Sequence, residues 1–266
     1  MSLPWVCLMY HDVTPGEAGT SKSASYFSVE RQLFASQLDQ LAVEGYTVRS
    51  LESSLADPRP RQVALSFDDG NLGQFEQGFP ELARRGMSAT FFVTTDWVGR
   101  PGYASWEALR EMRAAGMSIQ SHTRSHPFLS ELDPQTAFDE LRSSREALDE
   151  ALGQRTASLA LPNGDFPRGG SRVFRDAGYT VVGTSRWGRN RSAAAGNARV
   201  LLIRRCTVRG RPSPEEFRAT FTGSVWLGTR RRLRESALNA IRTAVGPTRY
   251  AIWRRRFLDT MGGGDS

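Results

Sequence analysis

The chain has 266 residues, 39% of them hydrophobic and 24% charged, a globular composition that excludes a disordered chain and a bundle of membrane helices. Thirty-five basic residues against 28 acidic ones give a net charge of +7 and a pI of about 10.1, which first suggests nucleic acid or an anionic surface. The two cysteines, Cys7 and Cys206, exclude a disulfide scaffold and a cysteine-based zinc site; they read as two core thiols or a single bridge.

Short apolar runs punctuate the chain at residues 5–10, 63–67, 88–94, 117–120, 157–161, 179–183 and 200–203, each of the length and composition of a strand buried on both faces. Helical patterns separate them. After the first run, Ser28 is placed to cap a helix carrying Val29, Leu33, Phe34, Leu38 and Leu41, with Gly45 as its stop. Ser105 is placed to cap residues 106–115 before Gly116. Asp133-Pro134 reads as N-cap and first turn of a helix reaching Leu152, closed by Gly153. Strands alternating with helices predict a parallel α/β protein; periodicity alone leaves a barrel and a doubly wound sheet both open.

Beyond residue 203 the character changes. From Arg204 onward there are fourteen arginines and five acidic residues, so this segment carries +9 and the remainder −2. Leu233, Ala237, Leu238, Ile241 and Val245 form one helical stripe, and Tyr250, Trp253, Phe257 and Met261 another. Such basic amphipathic helices lie on an anionic membrane or dock on the protein body with a solvated arginine face. Nucleic acid ranks behind both, since no nucleic-acid motif accompanies the charge. The expected layout is a catalytic domain over residues 1–210 and a basic helical C-terminal extension over residues 211–266. No basic n-region or cleavage site follows Met1, and no apolar run approaches the roughly 18–20 residues of a membrane span. The expected compartment is therefore the cytoplasm, peripheral to the inner face of the membrane if the tail docks there.

The unusual residues fall at strand ends. His11-Asp12 follows the first run, Asp68-Asp69-Gly70 the second, His122 and His126 the fourth, and Pro162-Asn163-Gly164 the fifth. In parallel α/β folds the C-terminal edge of the strands is where sites are built, and all three histidines of the chain lie there. Two histidines and a carboxylate make a three-ligand metal face with a position open for water. Adjacent carboxylates repel unless one is neutralised. A metal bound by one leaves the other free as a general base, and His11 stands as a general acid. Trp97 and Trp187 lie in loops after strands, placed either to offer a ring face at the site or to pack beneath the loops.

These residues carry a family resemblance. Ser66-Phe67-Asp68-Asp69-Gly70 is similar to the first motif of the polysaccharide deacetylases, the NodB-homology proteins of carbohydrate esterase family 4. The stretch from Ser121 through His122 and Thr123 to His126 matches their second motif, and Leu161-Pro162-Asn163-Gly164 resembles the end of the third. Leu8-Met9-Tyr10-His11-Asp12 resembles the His-Asp motif that usually closes the domain but here opens it, as in the permuted branch that includes the poly-N-acetylglucosamine deacetylases. The resemblance spans residues 5–208. It implies a distorted (β/α)7 barrel and removal of N-acetyl groups from N-acetylated sugars in a polysaccharide, oligosaccharide or lipid-linked precursor. It further implies Asp68 as base, Asp69, His122 and His126 as metal ligands, and His11 as acid. Zinc is the implied metal, with cobalt or nickel as alternatives. Asp12, Trp97, Pro162, Asn163 and Gly164 are the candidate substrate contacts, with a backbone N–H near Asn163 facing the oxyanion.

One position departs from the pattern. The family arginine that orients the catalytic aspartate is Ala160 here, and Arg124, Arg168 and Arg189 are the candidates to replace it. Hydrolysis of another acyl or amide bond, or a catalytically silent glycan-binding scaffold, are the rival functional readings.

Overall fold

The computed structural model describes residues 4–16, 27–191 and 200–224, together with 228, 229, 246 and 249. Both amphipathic stripes of the C-terminal extension, and with them the proposed membrane contact, lie outside the described residues. Among the described residues, no helix is long and apolar enough to cross a membrane.

Seven parallel strands close into a barrel. In ring order they are β1 (Pro4–Tyr10), β5 (Gln62–Phe67), β6 (Thr90–Val93), β7 (Ser118–Ser121), β8 (Ser158–Ala160), β9 (Val181–Thr184) and β11 (Leu201–Thr207), with β11 pairing back onto β1. All seven apolar runs are strands, and the closure of β11 on β1 through Leu8↔Cys206 decides for the barrel over the open sheet. The ring is uneven: β7 and β8 meet only at Ser121↔Leu159. The first half of β5 pairs with an extra strand, β4 (Thr47–Arg49), and only its last residues pair with β6. The short β10 (Asn190–Arg191) runs antiparallel to the start of β1.

Helices α1 (Arg31–Val43), α2 (Leu51–Ala56), α3 (Phe79–Ala83), α4 (Trp106–Ala114), α5 (Pro134–Leu152), α6 (Ser171–Asp176) and α7 (Pro214–Phe221) lie in the strand connections or after the last strand. Ser105 Oγ accepts the Ala108 N–H at 3.2 Å, and Asp133 Oδ1 accepts those of Gln135 and Thr136 at 3.0 Å, satisfying first-turn donors of α4 and α5. Gly153 closes α5 at φ +57°. Ser28, by contrast, is not the N-cap of α1, a position that Glu30 takes. Ser28 begins β3 (Ser28–Glu30), which pairs in parallel with β2 (Asp12–Thr14), and α1 starts only at Arg31. A partner strand sixteen residues away in sequence satisfies this backbone in the extended form.

Strand β11 also outruns its apolar pattern, continuing through Arg204 and Arg205 to Thr207. Cys7 and Cys206 are buried, unbridged thiols, and burial pushes the Cys7 thiol up to about 12.

The main core lies between the barrel and its helices. Phe67 and Phe91 stack with ring centroids 4.7 Å apart, Tyr10 and Phe34 pack against Phe67, and the Tyr10 hydroxyl donates to Gln37 Oε1 at 2.8 Å. Phe217 and Phe221 of α7 join the same core, with Phe221 set edge-on to Tyr46. Phe91→Ala should lower stability by about 3–5 kcal/mol, read as a fall in the urea midpoint at unchanged m-value.

Candidate active site

The first cluster of functional side chains joins two strand ends. Asp69 follows β5, and His122 and His126 follow β7; their ligand atoms lie within 4.8 Å of one another. His122 Nε2 is 3.4 Å and His126 Nε2 is 3.6 Å from Asp69 Oδ1. The other nitrogen of His122, Nδ1, lies 3.0 Å from the Ala160 carbonyl. A carbonyl can only accept, so Nδ1 carries the hydrogen and Nε2 is left to face Asp69. His126 is stacked on the Trp97 ring at 5.1 Å, and Trp97 also meets Tyr103 at 5.0 Å. Trp97 therefore packs against a candidate ligand while remaining half-buried at the mouth.

The backbone here is unusual. Among the described residues, five non-glycine positions have positive φ; four are Asp69 (+81°), Thr123 (+69°), His126 (+64°) and Asn163 (+55°), all in strand-end loops of the site. Left-handed backbone at residues other than glycine needs local support. Thr123 Oγ1 accepts the His126 N–H at 3.0 Å, and buried Glu140 of α5 accepts the N–H and hydroxyl of Ser125. Glu140 thus grips the loop between the two histidines.

Electrostatics separates the ligands. Burial and the neighbouring His122 lower His126 to about 4, leaving a neutral imidazole with a lone pair at neutral pH. Burial would raise Asp69, but the hydrogen bond and charge of His122, with His11 and His126, hold it well below the usual carboxylate range. Burial opposes charge on His122, yet Asp68 and Asp69 raise its pKa, so a proton and a cation are alternatives at Nε2. One carboxylate oxygen and two imidazole nitrogens converging from a buried wall suit a divalent ion.

Asp68 faces the other way, into the barrel. Its N–H donates to the Tyr10 carbonyl at 3.0 Å, and its carboxylate forms a bidentate pair with Arg205, Nη1 to Oδ1 at 2.5 Å and Nη2 to Oδ2 at 2.8 Å. Burial would raise this carboxyl, but the Arg205 guanidinium holds it below its ordinary value. Arg205 is fully buried, lies over the Phe92 ring at 5.3 Å and donates Nε–H to the Thr184 carbonyl at 3.2 Å.

Arg205 therefore fills the role left open at Ala160, and the three arginines expected from the sequence do not. Arg124 lies by Glu140 and Asp96, Arg168 donates to the Ser130 carbonyl, and Arg189 donates to the Thr222 carbonyl. The replacement is steric as well as electrostatic. A Cβ on Gly183, which pairs with Ala160, would lie 3.0 Å from Arg205 Nε. Small residues on β8 and β9 thus make room for an arginine arriving from β11.

His11 stands beside both carboxylates, its ring 4.9 Å from that of Phe27 and its buried Nδ1 without a hydrogen-bond partner. Burial keeps it below the ordinary histidine pKa against the pull of Asp69 and Asp68. The Gln74 amide donates to the carbonyls of both His11 and Asp68, tying the two loops together. Asp12 accepts the Val13 N–H at 2.9 Å and is raised to about 6, by burial first. In the Pro162–Gly164 turn, Gly164 and Asp165 donate their N–H groups to the Leu161 and Pro162 carbonyls, so neither serves an oxyanion. Trp187 is buried in the main core and offers no face to a sugar. The sequence reading missed Arg205, Gln74 and Glu140. An arginine inside a strand pattern, with its family position empty at Ala160, was the available signal for the first.

Fold and site together define a (β/α)7 barrel with a two-histidine, one-carboxylate cluster beside an arginine-clamped aspartate. Residues 56–182 match the family model for polysaccharide deacetylase. The chain is 29% identical over 180 residues to YxkH of Bacillus subtilis (strain 168), covering 65% of this chain and 62% of that protein. It is 28% identical over 128 residues to a chitin deacetylase of Colletotrichum lindemuthianum, covering 48% of this chain and 52% of that one. It thus spans less than two thirds of these curated relatives. Among solved structures, the Streptococcus pyogenes deacetylase PplD, in complex with acetate, superposes with a TM-score of 0.73 at 26% identity, covering 83% of this chain and 99% of PplD. Over residues 56–182, just under half its length, the chain is thus similar to the polysaccharide deacetylases.

Arg205→Met should remove the main opposition to burial of Asp68 and raise its pKa, moving the acid limb of any activity to higher pH. The same change should cost about 3–5 kcal/mol of stability. In the unsubstituted protein the depressed carboxyl contributes stability fully above its unfolded value of about 3.9, and loses it as pH falls through the lower folded value. Urea midpoints measured across acid pH should show this loss, with a shallower fall in Asp68→Asn.

Proposed function

We propose that this protein is a metal-dependent hydrolase that removes N-acetyl groups from N-acetylhexosamine units of a glycan. The observation that carries this reading is the Asp69, His122 and His126 cluster lying beside an aspartate whose ionised form is held by Arg205. The match of residues 56–182 to the polysaccharide deacetylase model and the deacetylases among the similar proteins support the acyl group and the sugar.

The two histidines would hold the ion through Nε2, and Asp69 through a carboxylate oxygen. Zinc suits this nitrogen and oxygen set, as cobalt or nickel would. Bound there, the ion supplies Lewis acidity, which brings the pKa of water from about 15.7 towards about 7.

The protein's own residues divide the proton work. Arg205 occupies one lone-pair direction on each Asp68 oxygen, leaving others to accept a proton from water. His11 delivers a proton to the departing amine. Its depressed pKa leaves it mainly neutral in the free site, so the negative charge that develops on the acyl oxygen must draw the proton onto the ring. Trp97 fixes the His126 ring, and the exposed Asn163 turn and half-buried Asp12 line the mouth where the sugar enters.

The test is acetate release from tetra-N-acetylchitotetraose, with chelation followed by metal add-back. Activity should vanish on chelation and return with zinc or cobalt. Asp68→Asn, which keeps an acceptor for Arg205, and His11→Ala should each fall by about 100-fold or more while retaining metal. Unchanged turnover in both variants, or loss of metal from Asp68→Asn, would overturn these roles.

A further inference from the structure

The barrel mouth is electrically two-sided. The connections after β1, β5, β6 and β7 occupy one contiguous arc of the ring. Within residues 11–16, 68–73, 94–104 and 122–133 these loops hold Asp12, Asp68, Asp69, Asp96, Glu131 and Asp133 against Arg100 and Arg124. The connections after β8, β9 and β11 form the opposite arc. Their described parts within residues 161–170, 185–189 and 208–212 hold five arginines and one acid, Asp165. That acid is buried and accepts the Ser130 N–H at 2.7 Å. Two of the arginines are engaged away from the mouth, Arg189 with the Thr222 carbonyl and Arg211 with Glu30.

Arg209 is half-buried with its Cζ 5.8 Å from the Phe27 ring centroid, which leaves Arg168 and Arg186 as exposed guanidinium groups on this arc, and no carboxylate pairs with either among the described residues. Both are held in place. Arg186 lies over the Phe166 ring with its Cζ 5.5 Å from the centroid, and Phe166 is itself edge-on to Phe174. Arg168, two residues further on, donates Nε–H to the Ser130 carbonyl at 3.1 Å. Their loops are also tied to the site through the backbone. Gly164 sits against Ser185, so the loops carrying the two arginines touch, and the Arg186 carbonyl accepts the N–H of Arg205, which clamps Asp68.

We propose that Arg168 and Arg186, braced by Phe166, form a subsite for an anionic group on the glycan, a phosphate or a carboxylate borne near the sugar that is deacetylated. This rests on the deacetylase reading and adds the charge class of its substrate. A planar guanidinium with its stem anchored offers paired donors to either oxyanion group. The acidic arc, which faces the other side of the same mouth, repels that group and so sets the direction in which the chain lies.

Calorimetric binding to the intact metal-loaded protein tests this with three probes: tetra-N-acetylchitotetraose, the same chain carrying a 1-phosphate, and a tetrasaccharide alternating N-acetylglucosamine with N-acetylmuramic acid. At least one anionic probe should bind about tenfold tighter than the neutral chain, with the advantage shrinking as salt rises. The phosphate and carboxylate arms show which source the subsite takes. Arg168→Gln with Arg186→Gln should bring the preference close to one. Arg142→Gln with Arg172→Gln, an equal charge change on the outer helices, should preserve it. Equal binding of all three probes, or a preference that survives the first pair of substitutions, overturns the proposal. Acetate release is measured in parallel. Preferential binding without release from any probe would sustain the subsite and sink the deacetylase reading, whereas release without preference would do the reverse.

Discussion

An aspartate buried at the end of a barrel strand stays ionised only if a positive charge reaches it, and Arg205 is that charge. Removing two ions from water costs several kcal/mol each, and their attraction offsets this only with good geometry and satisfied hydrogen bonds. The bidentate contact with Asp68, the Nε–H bond to Thr184 and the Phe92 face beneath the guanidinium meet that condition. The surrounding barrel is shaped to admit it. Gly183 lacks a side chain where a Cβ would press on the arginine, its strand neighbour Ala160 is small, and β11 buries Arg205 in the middle of the strand. The pair links the first and last parts of the ring, because β11 packs on β1 and the Asp68 N–H bonds to the last residue of β1.

That pairing explains how two adjacent carboxylates perform different work. The left-handed backbone at Asp69 lets successive side chains diverge, so Asp68 meets Arg205 inside the barrel while Asp69 meets the histidines. Arg205 is the main group that keeps Asp68 ionised and the hydrogen bond of His122 the main one for Asp69, while His122 and His11 act on both. The strained positions cluster where function needs them, and Glu140 and Gln74, neither of which reaches the reacting atoms, hold the loops that bear the strain.

The positive net charge of the chain belongs mainly to its C-terminal segment, yet basic residues also matter at the mouth. There they are largely segregated by strand order: most of the acids sit in the loops on one side of the ring, with Arg100 and Arg124, and most of the arginines on the other, with Asp165. A near-neutral barrel can therefore present a directional field to a ligand that carries charge.

Local sequence marks the seven strands, the helix starts at Ser105 and Asp133, the strand-end placement of His11, Asp68, Asp69, His122 and His126, and through them the resemblance to the polysaccharide deacetylases. These depend on local periodicity, capping and motif spacing, which neighbouring residues carry. Tertiary structure decided the rest. Ser28 became a strand residue because Asp12–Thr14 offered it backbone partners. The clamp on Asp68 proved to be Arg205, 137 residues away, and not Arg124, Arg168 or Arg189. Nothing along the chain marks which distant arginine fits. Only ring closure brings β11 against β1 and opens, beside Ala160 and Gly183, a space that a buried guanidinium can occupy.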